Sequence, residues 1–164
     1  MKMCAILDTD ASHEVFTKQQ HEAGQRFLRW INSKPKRLVV GGQMLREINK
    51  TPARLLIAEG IRSARIRREN DAKVDEKEEE LRQSIVLKSN DYHVIALAIV
   101  SGARLLYSND KDLHKDFKNH KLIRNPRGKV YSTDCKGSFT GTHKRLLQTK
   151  DLCRDGCTNP QSPK

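Results

Sequence analysis

Ser89-Asn-Asp91-Tyr-His-Val-Ile-Ala-Leu-Ala-Ile99-Val-Ser-Gly102-Ala-Arg-Leu-Leu-Tyr107-Ser-Asn-Asp110 is the stretch whose reading decides the fold. Ser89, Asn90 and Asp91 are N-cap residue types ahead of a nearly unbroken apolar run, which predicts a buried helix to about Ser101. Gly102 breaks that run, and Arg104-Leu-Leu-Tyr107 reads as a short buried strand.

The same alternation extends outwards. Met3-Cys-Ala-Ile-Leu7 is apolar throughout and closes at Asp8, as a buried strand does. Asp10, Ala11 and Ser12 open a helix expected to reach about residue 33, with Val15, Phe27, Leu28 and Ile31 facing inwards. Pro35 ends it, and Arg37-Leu-Val-Val40 is the second strand. Gly41-Gly42 turns the chain into a helix bearing Met44, Leu45, Glu47 and Ile48. Thr51-Pro52 starts another, expected to carry Leu55, Leu56, Ile57, Ile61 and Ile66. Residues 67–82 are nearly all charged and predict a solvated helix or an excursion. Short strands are expected at 83–87 and 121–123, a short helix around 111–117, and a turn at 125–128. Strands alternating with helices imply an α/β sandwich around a mostly parallel sheet.

Bulk properties narrow the function classes. With 164 residues the chain can bury a core of its own, and at 36% hydrophobic and 5% aromatic that core is aliphatic. A net charge of +12 and a pI near 9.8 favour a polyanionic partner, nucleic acid before membrane. No segment approaches the ~18 apolar residues of a membrane span, and the first residues do not resemble a signal peptide, so a cytoplasmic location is expected. Cys4, Cys135, Cys153 and Cys157 are too sparse for a disulfide framework and are expected as free thiols. Cys135, His143, Cys153 and Cys157 lack a paired CxxC, which makes a poor zinc signal.

Four acids stand at the edges of apolar segments: Asp8, Glu47, Asp91 and Asp110. In open α/β sheets ligand sites lie beyond the carboxyl ends of the strands. Asp8 and Asp110 fall at such ends, and a helix N-terminus at Asp91 can face the same rim. Like charges gathered there demand a cation or raised pKa values. Oxygen ligands without paired His or Cys favour Mg²⁺ or Mn²⁺ over Zn²⁺. Such an ion polarises a phosphodiester and activates an attacking water. Structural roles compete, since Asp91 is a good helix cap and Glu47 can pair with a base.

The order of Cys4-Ala-Ile-Leu-Asp8-Thr-Asp10, Leu45-Arg-Glu47-Ile, Asp91-Tyr-His-Val-Ile-Ala-Leu-Ala-Ile99 and Ser108-Asn-Asp110-Lys-Asp112-Leu113 resembles the PIN domain, over roughly residues 3–123. The resemblance implies a PIN-like three-layer sandwich and a Mg²⁺- or Mn²⁺-dependent endoribonuclease that hydrolyses RNA by metal-activated water. It makes Asp8, Glu47, Asp91 and Asp110 the catalytic, metal-binding acids, with Asp112 a further ligand and Asp10 and Ser108 in support. It also implies a toxin neutralised by a small antitoxin protein, often as a homodimer. On this reading residues 1–124 form the nuclease domain, 125–153 a basic extension packed on or near it and 154–164 a flexible tail. Lys129, Lys136, His143, Lys144 and Arg145, with Tyr131 and Phe139 interleaved, are the expected RNA contacts. Two rivals stand beside it. Leu7-Asp8-Thr-Asp10 also fits a haloacid-dehalogenase-like phosphatase, with Asp8 as nucleophile and Asp10 as general acid. A non-catalytic RNA-binding module would carry the same acids without cleaving.

Overall fold

The computed structural model describes residues 3–16, 21–33, 35–133, 137–150 and 152–153. Among them five strands form one all-parallel sheet: β1 (Met3–Leu7), β2 (Lys36–Val40), β3 (Ile66–Arg68), β4 (Leu105–Tyr107) and β5 (Lys129–Tyr131), in the order β3-β2-β1-β4-β5. Every residue of β1 is buried, as a central strand covered on both faces requires. Its side chains alternate between two cores, Met3, Ala5 and Leu7 entering one, Cys4 and Ile6 the other.

The helices complete a three-layer α/β sandwich. They are α1 (His13–Phe16), α2 (Glu22–Asn32), α3 (Gly42–Ile48), α4 (Arg54–Arg62), α5 (Asp71–Ser84), α6 (Tyr92–Ser101), α7 (Lys111–Lys118) and α8 (Gly141–Gln148). One face is covered by α2 and α4 through Phe27, Trp30, Ile31 and Ile57, with Leu146 and Leu147 of α8 packed against them. The other is covered by α5, α6 and α7 through Val74, Leu81, Val94, Leu97, Leu113 and Phe117. Helix α6 is apolar all round because it lies in the core, and its polarity is confined to its ends. At its C-terminus the buried Arg104 donates from Nη1 to Ala98 O (2.8 Å) and Arg67 from Nη2 to Ser101 O (2.9 Å), cations against the negative end of the helix dipole.

Several expectations are corrected. The helix expected over 10–33 is interrupted: a 3-10 turn (Thr9–Ala11) and α1 precede α2. The one expected to include Ile66 ends at Arg62, and Ile66 begins β3. Residues 67–82 are divided between β3 and α5, and α5 is anchored by Val74 and Leu81. The strand expected at 83–87 is instead the end of α5 and a loop, its backbone bonded by one side chain: Leu87 N donates to the Tyr92 hydroxyl (3.2 Å), which donates to Ile85 O (3.0 Å). Residues 121–123 form a turn, and the last strand is β5, so the sheet continues past residue 124. Cys4 is disulfide-bonded, contrary to the free thiol expected. Among the described residues no helix is long and apolar enough to cross a membrane.

Candidate functional site

The strand order reverses at β1, which pairs with β2 on one side and β4 on the other. Such a switch point leaves a crevice beyond the strand ends, because the following connections depart to opposite faces. Asp8 immediately follows β1, Ser108 follows β4, and Asp110 lies two residues further on. The two segments are stitched together by Asp8 N donating to Tyr107 O (2.9 Å) and by Ser108 Oγ donating to Asp8 Oδ2 (2.8 Å).

Asp91 reaches this rim from the N-terminus of α6. Among the described residues its carboxylate makes no capping hydrogen bond, so the structural role that competes with ligand binding is not taken up. Burial raises the Asp91 pKa to about 6, reinforced by the charge of Asp8 and then by Asp110 and Glu47, with His93 opposing. The same four acids therefore share one field. Asp8 is also raised, first by burial, while the Ser108 hydroxyl pulls it down and Asp10 repels it. Glu47, on α3, is held from several sides: His93 Nε2 lies 3.3 Å from Oε2, Thr9 Oγ1 donates to Oε2 (3.4 Å) and Gln43 Nε2 to Oε1 (3.4 Å). Asp110 caps α7, with Oδ1 accepting from the amides of Asp112 (2.9 Å) and Leu113 (3.3 Å). The Asp112 carboxylate is exposed and faces Lys115 at 3.9 Å. Asp10 is exposed on the 3-10 turn.

Among the described residues no group of three or more His, Cys, Asp or Glu side chains is placed to hold a metal ion. The donors gathered here are carboxylate oxygens, the type a hard divalent cation takes, and the Asp91 carboxylate is half-desolvated beside the charges of Asp8, Asp110 and Glu47. The cysteines do not join it. Cys135 and Cys157 lie outside the described residues, and both nitrogens of His143 are engaged, Nδ1 accepting from Thr140 N (2.9 Å) and Nε2 facing Ser132 O (2.5 Å).

The expected RNA contacts are scattered. Lys129 opens β5, in register with Leu105, so it lies at the end of the sheet remote from Asp8. Lys144 and Arg145 are exposed on α8, His143 is buried against Tyr131, and Lys136 lies outside the described residues. Exposed Lys88 and Lys111 are nearer in sequence to the acids, beside Ser89 and Asp110.

Three supporting residues carried no clear sequence signal. His93 is a polar residue in an apolar helix, visible but without an assigned role. Asp116, buried on α7, accepts from Ser89 N (2.9 Å), Ser89 Oγ (2.7 Å) and Lys88 N (3.1 Å), and Ser89 Oγ accepts from Asp91 N (3.2 Å). Glu14, buried on α1, accepts from the Tyr107 hydroxyl (2.9 Å), Asn109 Nδ2 (2.5 Å) and Thr133 Oγ1 (2.5 Å). Because alternate residues of an extended chain face opposite ways, Tyr107 and Asn109 turn to Glu14 while Ser108 turns to Asp8. Burial, then the Glu14 charge, pushes the Tyr107 phenol up, which keeps it a donor.

Compared with models of known families, with curated proteins and with solved structures, the chain finds no match.

Proposed function

We propose that this chain is a metal-dependent endoribonuclease of the PIN-domain type. The observation that supports this most is that the charges of Asp8 and Asp110, which follow the paired strands β1 and β4, act on an Asp91 whose carboxylate is not spent on its own helix. Asp8, Glu47, Asp91 and Asp110 would hold Mg²⁺ or Mn²⁺. When bound, such an ion supplies Lewis acidity at the phosphodiester and eases deprotonation of water.

The chain's own residues supply the rest. Ser108 orients Asp8, and His93 with Thr9 fixes Glu47. Asp116, through Ser89, sets the backbone from which Asp91 projects. Lys88 and Lys111 on the exposed rim offset the repulsion between a phosphate and four carboxylates, and the net charge of +12 attracts the polyanion over a longer range.

The test is cleavage of a mixed RNA panel by the purified chain with Mn²⁺, Mg²⁺ or EDTA, beside Asp91→Asn. Cleavage that needs the ion and falls to background in the variant is expected. RNA binding without cleavage under every ion transfers the acids to the non-catalytic reading. Metal-dependent release of phosphate from small phosphate esters, abolished by Asp10→Asn, supports the phosphatase instead.

A further inference from the structure

We propose that the open cavity lined by Thr9 and Asp10 is a nucleobase subsite, where Asp10 selects and Phe16 stacks the base next to the scissile phosphate; this rests on the nuclease reading above. The cavity encloses about 330 Å³ between the 3-10 turn and α1 on one side and the Thr51-Pro52-Ala53 turn on the other. That volume is at the lower end of the ~300–1,000 Å³ usual for ligand pockets and suits a single base with its sugar. It shares a wall with the carboxylate site: Thr9 lines it, and the Thr9 hydroxyl donates to Glu47 Oε2 (3.4 Å). A phosphodiester at the acids thus has its flanking nucleotide within one side chain of the cavity.

The wall chemistry defines the occupant. Most of its polar groups are spent on the protein. Ser12 Oγ donates to Thr9 O (2.7 Å), Thr51 Oγ1 donates to Ile48 O (2.6 Å), and His13 Nδ1 lies 2.9 Å from Asp10 O. The Asp10 carboxylate is different. It is exposed, and among the described residues it accepts no hydrogen bond from a side chain. It also stands near enough to Asp8 to raise that residue's pKa, so the mouth of the cavity repels phosphate. The group that fits is an uncharged donor. An ionised carboxylate only accepts, and its two oxygens match two adjacent N–H donors. Guanine offers that pair on its Watson–Crick edge, at N1 and N2. Uracil places a carbonyl on each side of its single N–H and meets the carboxylate with an acceptor. Half-buried Phe16 and exposed Pro52 provide apolar walls on which an unstacked base rests, the usual way single-stranded RNA is read.

The test is cleavage of a randomised RNA library with Mn²⁺, with the new ends sequenced. The chain is expected to favour guanine over uracil at one position beside the cut by about tenfold or more, the discrimination of a good bidentate base contact. Asp10→Asn should bring that ratio towards unity, and Phe16→Ala should raise KM by about tenfold with kcat largely kept. If Asp10 acts only through the field at the metal site, all bases change rate together and the ratio stands; that result overturns the proposal. Absence of cleavage under every ion is a failure of the nuclease reading instead. GMP and UMP titrated into the unmodified chain in EDTA then decide. GMP binding that exceeds UMP binding and weakens in Asp10→Asn upholds the subsite, and equal or absent binding overturns it.

Discussion

Asp91 carries a direct conflict between stability and ligand binding. Its pKa of about 6 in the folded chain lies above the ordinary 3.8, so folding favours the protonated acid. The folded chain therefore holds a proton that the unfolded chain has lost between about pH 4 and 6. Stability from this residue is present at low pH and is lost as pH rises through that window. Asp8 is raised too and adds in the same direction. Asp91→Asn removes the conflict. In EDTA at pH 7 the variant should melt at a higher temperature than the parent, and the difference should shrink at pH 4.5. Thermal unfolding at the two pH values checks this. A variant that melts lower at pH 7 shows that the carboxylate stabilises the fold and is not a strained ligand.

At the scale of elements, one close approach and one set of hydrogen bonds hold α1 in place. Gly24 lies inside α2, where alanine normally gains about 1 kcal/mol over glycine. A Cβ there would sit 1.9 Å from Glu14 O, a backbone atom of α1 that cannot step aside. Gly24→Ala should therefore destabilise the fold by about 2 kcal/mol, as overpacking does, and urea unfolding measures it. Glu14→Ala should cost about 2 kcal/mol, because it strands the buried Tyr107 hydroxyl and releases Asn109 and Thr133.

What the sequence made legible at this scale follows from where each element is buried. β1, β4, α6 and the buried Leu38-Val39-Val40 half of β2 are covered by neighbours and are written as continuous apolar runs. The edge strands are not. β3 is Ile-Arg-Arg and β5 is Lys-Val-Tyr, too short and too basic for hydrophobic periodicity to reveal. The apolar pattern at 83–87 is real but belongs to a loop, since Tyr92 supplies the hydrogen bonds a sheet partner would. The four acids could be named because each stands at or near the edge of an apolar segment. The roles of Glu14, Asp116 and His93 could not, because their partners are remote in sequence and brought together only by the fold.

For the whole molecule, the all-parallel sheet reverses its order at β1, and beyond its strand ends the charges of Asp8, Asp110 and Glu47 act on Asp91. The chain is strongly cationic overall and anionic at this point, an arrangement that draws in a polyanion but requires a counter-charge where it binds. The central claim is that these acids form a divalent-cation site. Calorimetric titration of Mn²⁺ into the RNA-free chain at pH 7, beside Asp91→Asn, tests it most directly. The account predicts a saturable site in the parent that is lost in the variant. Absence of saturable binding, or equal binding by both proteins, would contradict it.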